Sequence, residues 1–202
     1  MTKHVIGLLT LATCMLLLTS CFVSSSLMFT EKDVDGSLNL VVNSHFEAMS
    51  GTASEALYGW AVTLDPGTGG TSPVIVDGTE SYEGDGSIRI KASANSVLIL
   101  SDAFKVRRYG GYYLRANLKS DSPQAPQVQM RFIVFKDDGT ITNKFADKTT
   151  ATAEWNRTTI SAGFIRPGAK FGRLGIYIPP FSEGSVWIDN AGCYEVHGFK
   201  ID

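Results

Sequence analysis

The sequence of 202 residues has no run of Lys or Arg, no apolar stretch long enough to cross a bilayer, and only three cysteines. The first lack argues against nucleic acid as a partner. Eighteen basic against 20 acidic residues give a net charge of -2, which offers no field to draw in phosphates. The second separates the apolar stretch Val5–Leu18 from a membrane-spanning helix, which needs roughly 20 residues. The third leaves little for disulfides. Cys14 and Cys21 lie at the start of the chain, so Cys193 has no partner beyond them and reads as a small buried hydrophobe. Catalytic signatures are missing too: there is no Gly-x-Ser-x-Gly, no His-Glu-x-x-His and no Cys-x-x-Cys. After His4, the histidines are His45 and His197, far apart in the chain.

What is present begins with an export signal. Lys3 and His4 precede the uncharged Val5–Leu18, and small residues follow. Leu18-Thr19-Ser20-Cys21 resembles the lipobox of bacterial lipoproteins. The resemblance implies cleavage before Cys21 and a diacylglyceryl group on its sulfur. The plainer alternative is a secreted protein whose signal happens to end in cysteine. Residues 1–20 are then a signal peptide, 21–37 a lipidated N-terminus and flexible tether rich in serine, and 38–202 the folded domain. The expected location is the cell envelope, lipid-anchored. Phe22, rather than Asp after the cysteine, favours an outer membrane where the host has one.

From about Asn39 the sequence reads as short strands and turns. Apolar residues alternate in Tyr112-Leu114-Ala116-Leu118, in Val128-Met130-Phe132-Val134 and in Leu174-Ile176-Ile178. Val186–Ile188 reads as a further strand. Turn residues separate such runs, at Glu83-Gly84-Asp85-Gly86, Asp137-Asp138-Gly139 and Arg166-Pro167-Gly168 among others. No segment after the signal carries a long helical apolar stripe. The pattern predicts an all-β fold, a single antiparallel β-sandwich of the jelly-roll kind. Between the apolar positions stand Tyr113, Arg115, Gln129, Arg131 and Tyr177, with Arg173 beside them. If those strands are neighbours, these side chains form one polar plate able to hydrogen-bond sugar hydroxyls and stack on a sugar face. A solvated sheet face is the equal alternative. Trp60 reads evenly as core or as sugar platform, whereas Trp155 and Trp187 read as core.

The order of motifs resembles the carbohydrate-binding modules of families 4, 9 and 22. The matching residues are Asn39–Glu47, Gly59-Trp60, Gly84–Ile90, Tyr112–Ala116, Glu154-Trp155 and Val186–Asn190. The resemblance implies a glycan-binding domain that is not an enzyme, with oligo- or polysaccharide as its partner. It also implies a structural calcium held by Glu47 and Asp189, with help from the turn around Glu80. Two other readings stay open. One is a structural or assembly lipoprotein that uses the jelly roll for protein contact. The other is a jelly-roll enzyme acting on glycans, which needs two convergent acids in a cleft.

Overall fold

A computed structural model of the chain describes residues 27–47, 57–64 and 72–198. The signal, Cys21 and the serine-rich stretch after it lie outside the described residues. So does Asp65-Pro66-Gly67, another stretch whose residues read as a turn. Among the described residues no helix is long and apolar enough to cross a membrane.

The strands are β1 (Trp60–Leu64), β2 (Val74–Asp77), β3 (Ser87–Ser93), β4 (Val97–Ser101), β5 (Phe104–Lys105) and β6 (Tyr112–Ser120). They continue with β7 (Gln127–Phe135), β8 (Ile141–Thr150), β9 (Asn156–Ala162), β10 (Phe171–Ile178) and β11 (Phe181–Glu195). All pair antiparallel, in two sheets. The order is β2-β3-β11-β6-β9 in the five-stranded sheet and β1-β4-β10-β7-β8 in the other, where β5 also pairs with β10 to make six. This is the expected all-β sandwich.

Alternation explains why the sheets pack. Successive side chains of a strand point to opposite faces. Leu114, Ala116 and Leu118 of β6 therefore bury themselves against Met130, Phe132 and Val134 of β7, and all six are sealed from solvent. Phe132 lies at the centre of ring contacts with Phe104, Tyr112 and Phe145, at centroid separations of 6.1, 5.7 and 6.0 Å. Tyr112 is sealed in the same core, and its Oη accepts the Arg107 amide N–H at 2.6 Å. Burial pushes that phenol up to about 12. Cys193 is wholly buried, and burial pushes its thiol well above the usual range. β8 is the edge of its sheet and largely exposed; Lys144, Asp147 and Lys148 along it discourage pairing with another chain.

Two expectations need correction. The folded domain starts before residue 38. Phe29 donates its amide to Ser161 Oγ at 2.7 Å, and Val34 packs with Tyr113 and Val196 in a second apolar cluster on the outside of the five-stranded sheet. A 3-10 turn, Glu31–Val34, carries this segment across the sheet. Its start is fixed by Asp33, whose carboxylate takes both the amide and the hydroxyl of Thr30 and is held below the usual range by those bonds. The stretch read as a tether is thus docked from Phe29 onward.

The second correction concerns the tryptophans. Trp187 is buried, but on the outer side of the five-stranded sheet rather than between the sheets; it is 6% exposed beneath the Arg89 guanidinium. Trp155 is half-buried on a loop against Tyr82.

Candidate functional site

The polar plate read from the sequence does not exist as one surface. Tyr113 and Arg115 belong to β6 in the five-stranded sheet, while Gln129, Arg131 and Tyr177 belong to β7 and β10 in the six-stranded sheet. All five point away from the core, so the two groups face opposite sides of the molecule. Trp60 is in neither group. It is buried between the sheets, 5.0 Å from the Phe46 ring, and its indole N–H donates to the Asn43 carbonyl at 3.1 Å. It serves the core and is closed to a sugar.

The outer face of the six-stranded sheet is the open one. Register places residues in rows across it. One row runs Thr63, Leu98, Tyr177, Gln129, Lys148, and the next runs Ala61, Leu100, Gly175, Arg131, Ala146. A third holds Arg173, Ile133 and Lys144. Gly175 is the smallest residue of the middle row and is itself buried. A Cβ there would lie 3.0 Å from Leu100 Cδ2, 3.6 Å from Leu98 Cδ1 and 3.7 Å from Arg131 Cβ, so the two leucines lean over the bare backbone and make the apolar floor of a shallow trough beside Arg131. The sequence reading passed over this residue, although an isolated glycine inside a strand is a signal of close approach.

Beside the trough the Arg131 guanidinium lies 4.4 Å above the Tyr177 ring centroid. Its Nε donates to Gln129 Oε1 at 2.8 Å. The trough continues toward the rim through Gln127, which alternates onto the same face. Gln127 also lines a depression of about 790 Å³ with Gln124, Pro126, Pro179, Pro180 and Phe181.

The other outer face is crossed by the docked segment, which leaves beside it a hollow of about 600 Å³ lined by Glu31, Tyr113 and Arg157 among others. Arg115 lies 5.1 Å over the Tyr194 ring and pairs with Glu31 at 2.7 Å. Glu31 also takes Arg157, and Lys119 pairs with Glu80 at 2.7 Å. Tyr113 is 4% exposed beneath the docked segment. Asp77 accepts the Trp187 indole N–H at 2.9 Å. Burial works against the Asp77 carboxylate, but bonds from Thr79 and Trp187 and the nearby Arg89 outweigh it and hold the group below its usual range.

Glu47, Asp189 and Glu80, the acids expected to hold calcium, are occupied with other partners. Asp189 Oδ2 accepts the amides of Tyr82 and Glu83 at 2.7 and 2.9 Å, and Oδ1 accepts that of Asn190 at 2.6 Å. Burial nevertheless raises its pKa, since those bonds only partly replace lost water. Glu47 Oε1 accepts the Asp85 amide at 2.7 Å. The two carboxylates thus hold one loop, residues 80–86, by the amides of Tyr82, Glu83 and Asp85. Among the described residues no group of three or more His, Cys, Asp and Glu could hold a metal ion. Three of the four oxygens of Glu47 and Asp189 accept N–H groups and Glu80 holds a lysine, whereas calcium takes six or more oxygens.

No protein-family model matches the chain, and no curated protein matches it. Solved structures do. A family 16 carbohydrate-binding module is similar over 77% of this chain and 99% of its own, with TM-score 0.57 and 16% identity. The module TmCBM61, solved in complex with β-1,4-galactotriose, is similar over 78% of this chain and 99% of its own, with TM-score 0.55 and 15% identity. The enzymatically active domain of tailspike protein 4 from bacteriophage CBA120 gives TM-score 0.62 at 12% identity, over 78% of this chain; the match spans 21% of that longer protein. The chain therefore has the jelly-roll fold of carbohydrate-binding modules, as its motif order implied.

Proposed function

We propose that the protein binds polysaccharide, without cleaving it, in the trough on the outer face of the six-stranded sheet. The observation that carries this reading is the trough itself. Leu98 and Leu100 floor it over the bare backbone of Gly175, and Arg131, Gln129 and Gln127 offer hydrogen-bonding groups along it. The whole-length likeness to two carbohydrate-binding modules supports it. Asp147 is the one acid in the six strands, and its register opposite Met130 turns it from the trough, so no pair of carboxylates flanks a bound chain there. Cys21 is the proposed lipid attachment, holding the domain to the cell envelope; two or more acyl chains make such an anchor stable. Cys21→Ala should move the protein out of the detergent phase.

The test of the trough is to fill it. In retention on a panel of immobilised polysaccharides, the native protein should bind at least one. Gly175→Leu should lower that affinity about tenfold, equivalent to about 1.4 kcal/mol, while the protein still melts cooperatively. A panel without a ligand, or a Gly175→Leu protein that binds as before, sinks the reading. The assembly reading would then take over. It has an observation of its own: Tyr109 and Phe164, 43% and 50% exposed, touch at 5.7 Å on neighbouring loops and make an apolar knob.

A further inference from the structure

We infer that the polysaccharide taken by this trough is acidic, carrying carboxylates along its length. The inference rests on the proposed glycan-binding reading and names the class of glycan.

The first observation is the state of Arg131. Tyr177 supports its guanidinium from below and Gln129 holds Nε, which fixes the plane and direction of the group. Its two terminal nitrogens have no hydrogen-bond partner among the described residues. An arginine held by its inner edge presents two parallel N–H groups, the arrangement that a carboxylate accepts bidentately. A neutral sugar cannot use that fork fully. Nor can it stack on Tyr177, whose open side is taken up by the guanidinium.

The second observation is charge. Arg131, Arg173, Lys144 and Lys148 share this face by register. None of them is in a salt bridge among the described residues. From every strand of the sheet no carboxylate joins them on that face: β1 brings Ala61 and Thr63, β4 Leu98 and Leu100, β10 Phe171, Gly175 and Tyr177 beside Arg173, and β5 a further cation, Lys105, opposite Phe171. Five like charges therefore stand on one face of a protein whose net charge is -2. Their mutual repulsion is relieved by an anion laid across them. Spacing suits a chain of repeating charge, since neighbouring strands lie about 4.8 Å apart and alternate residues about 7 Å apart along a strand. A single-stranded nucleic acid also repeats its charge, but it is held by rings on which bases stack. Tyr177, the ring beside the trough, is capped by the guanidinium, Leu98, Leu100 and Ala146 line the rest, and the other two rings of the face, Phe135 and Phe171, are packed on each other at 5.9 Å.

The test compares polymers that differ in charge alone. Binding is measured to polygalacturonate and to alginate, to the methyl-esterified form of polygalacturonate, to neutral galactan, and to single-stranded DNA. We expect one of the two uronate polymers to bind about tenfold or more tighter than any uncharged polymer and than DNA, with affinity falling as salt rises. Arg131→Lys keeps the charge and loses the fork; it should weaken binding about tenfold at an unchanged melting temperature. Lys144→Gln with Lys148→Gln should weaken it less and flatten the salt dependence. Equal binding to the acidic and esterified forms overturns the acidic class and leaves glycan binding standing. No binding to any polysaccharide overturns both readings. Equal binding to DNA, or an Arg131→Lys protein that binds as the native one does, overturns the acidic-glycan inference.

Discussion

The two outer faces of the sandwich are built from the same kinds of residue and end in opposite states. On each, an arginine lies over an aromatic ring: Arg89 over Trp187 and Arg115 over Tyr194 on one side, Arg131 over Tyr177 on the other. On the five-stranded side those arginines are consumed. Arg89 has Asp77 and Ser185, and Arg115 has Glu31 and Asn190. Arg157 and Lys119 are likewise paired with acids, and Lys91 at the exposed end of β3 stands apart from them. On the six-stranded side no acid meets its cations. Stacking an arginine on a ring fixes where its charge points, and the neighbours decide whether that charge holds the fold together or waits for a ligand. Substitutions on the first face should therefore be read out as stability, and those on the second as binding.

The largest effect should come from Trp187. It is buried, and its indole N–H satisfies Asp77. Trp187→Ala should destabilise the protein by about 3–5 kcal/mol, since truncating a buried aromatic leaves a cavity and here an unpaired acid as well. Tyr177→Ala, the matching change under Arg131, should cost at most about 1 kcal/mol, because the ring is half exposed. Urea unfolding of both variants measures the contrast. Similar losses would mean that the open face is also structural.

A middle-sized effect concerns how the covered face keeps its loop. If Glu47 and Asp189 hold residues 80–86 through backbone amides alone, a chelator should not move the melting temperature. Glu47→Ala should cost about 1–2 kcal/mol, the size of a hydrogen bond to a charged group, with or without chelator. A native protein that melts earlier after chelation, paired with a Glu47→Ala protein that ignores it, would restore the calcium implied by the motifs.

Most of the strands were legible because their alternation is local. Tyr112–Leu118, Val128–Val134 and Leu174–Ile178 each declare an inward and an outward side within a few residues. Alternation says which side of a strand is polar, but not to which sheet the strand belongs. Tyr113 and Arg115 were therefore joined to Arg131 and Tyr177, although pairing sends β6 to β11 and β9, and β7 to β10. Trp60 was undecided for a similar reason. Its partners Phe46 and Asn43 come from a separate loop. The docked segment was hidden because Phe29 and Val34 are two apolar residues in a polar stretch. Their partners, Tyr113, Ser161 and Val196, lie far along the chain. The partners of the acids were hidden as well, since Glu47, Glu80 and Asp189 show their charge in sequence but not the amides and the lysine that meet their oxygens.

The smallest effect tests whether neutralisation or burial closes the covered face. Glu31 bridges Arg115 and Arg157 but is half exposed, and exposed ion pairs contribute at most about 1 kcal/mol. The apolar contacts of Val34 with Tyr113 and Val196, and the Phe29 amide on Ser161, hold the segment independently of that charge. Glu31→Gln should therefore leave the segment docked and the melting temperature within a few degrees of native. It should free two guanidinium groups without uncovering the face, because Val34 and Phe29 keep the segment docked on it. Binding to uronate polymers should stay confined to the Arg131 face, so that Glu31→Gln combined with Arg131→Lys binds no better than Arg131→Lys alone. If the double variant recovered binding, the two faces would differ only in one glutamate, and the distinction between a structural face and a binding face would collapse into a matter of local charge.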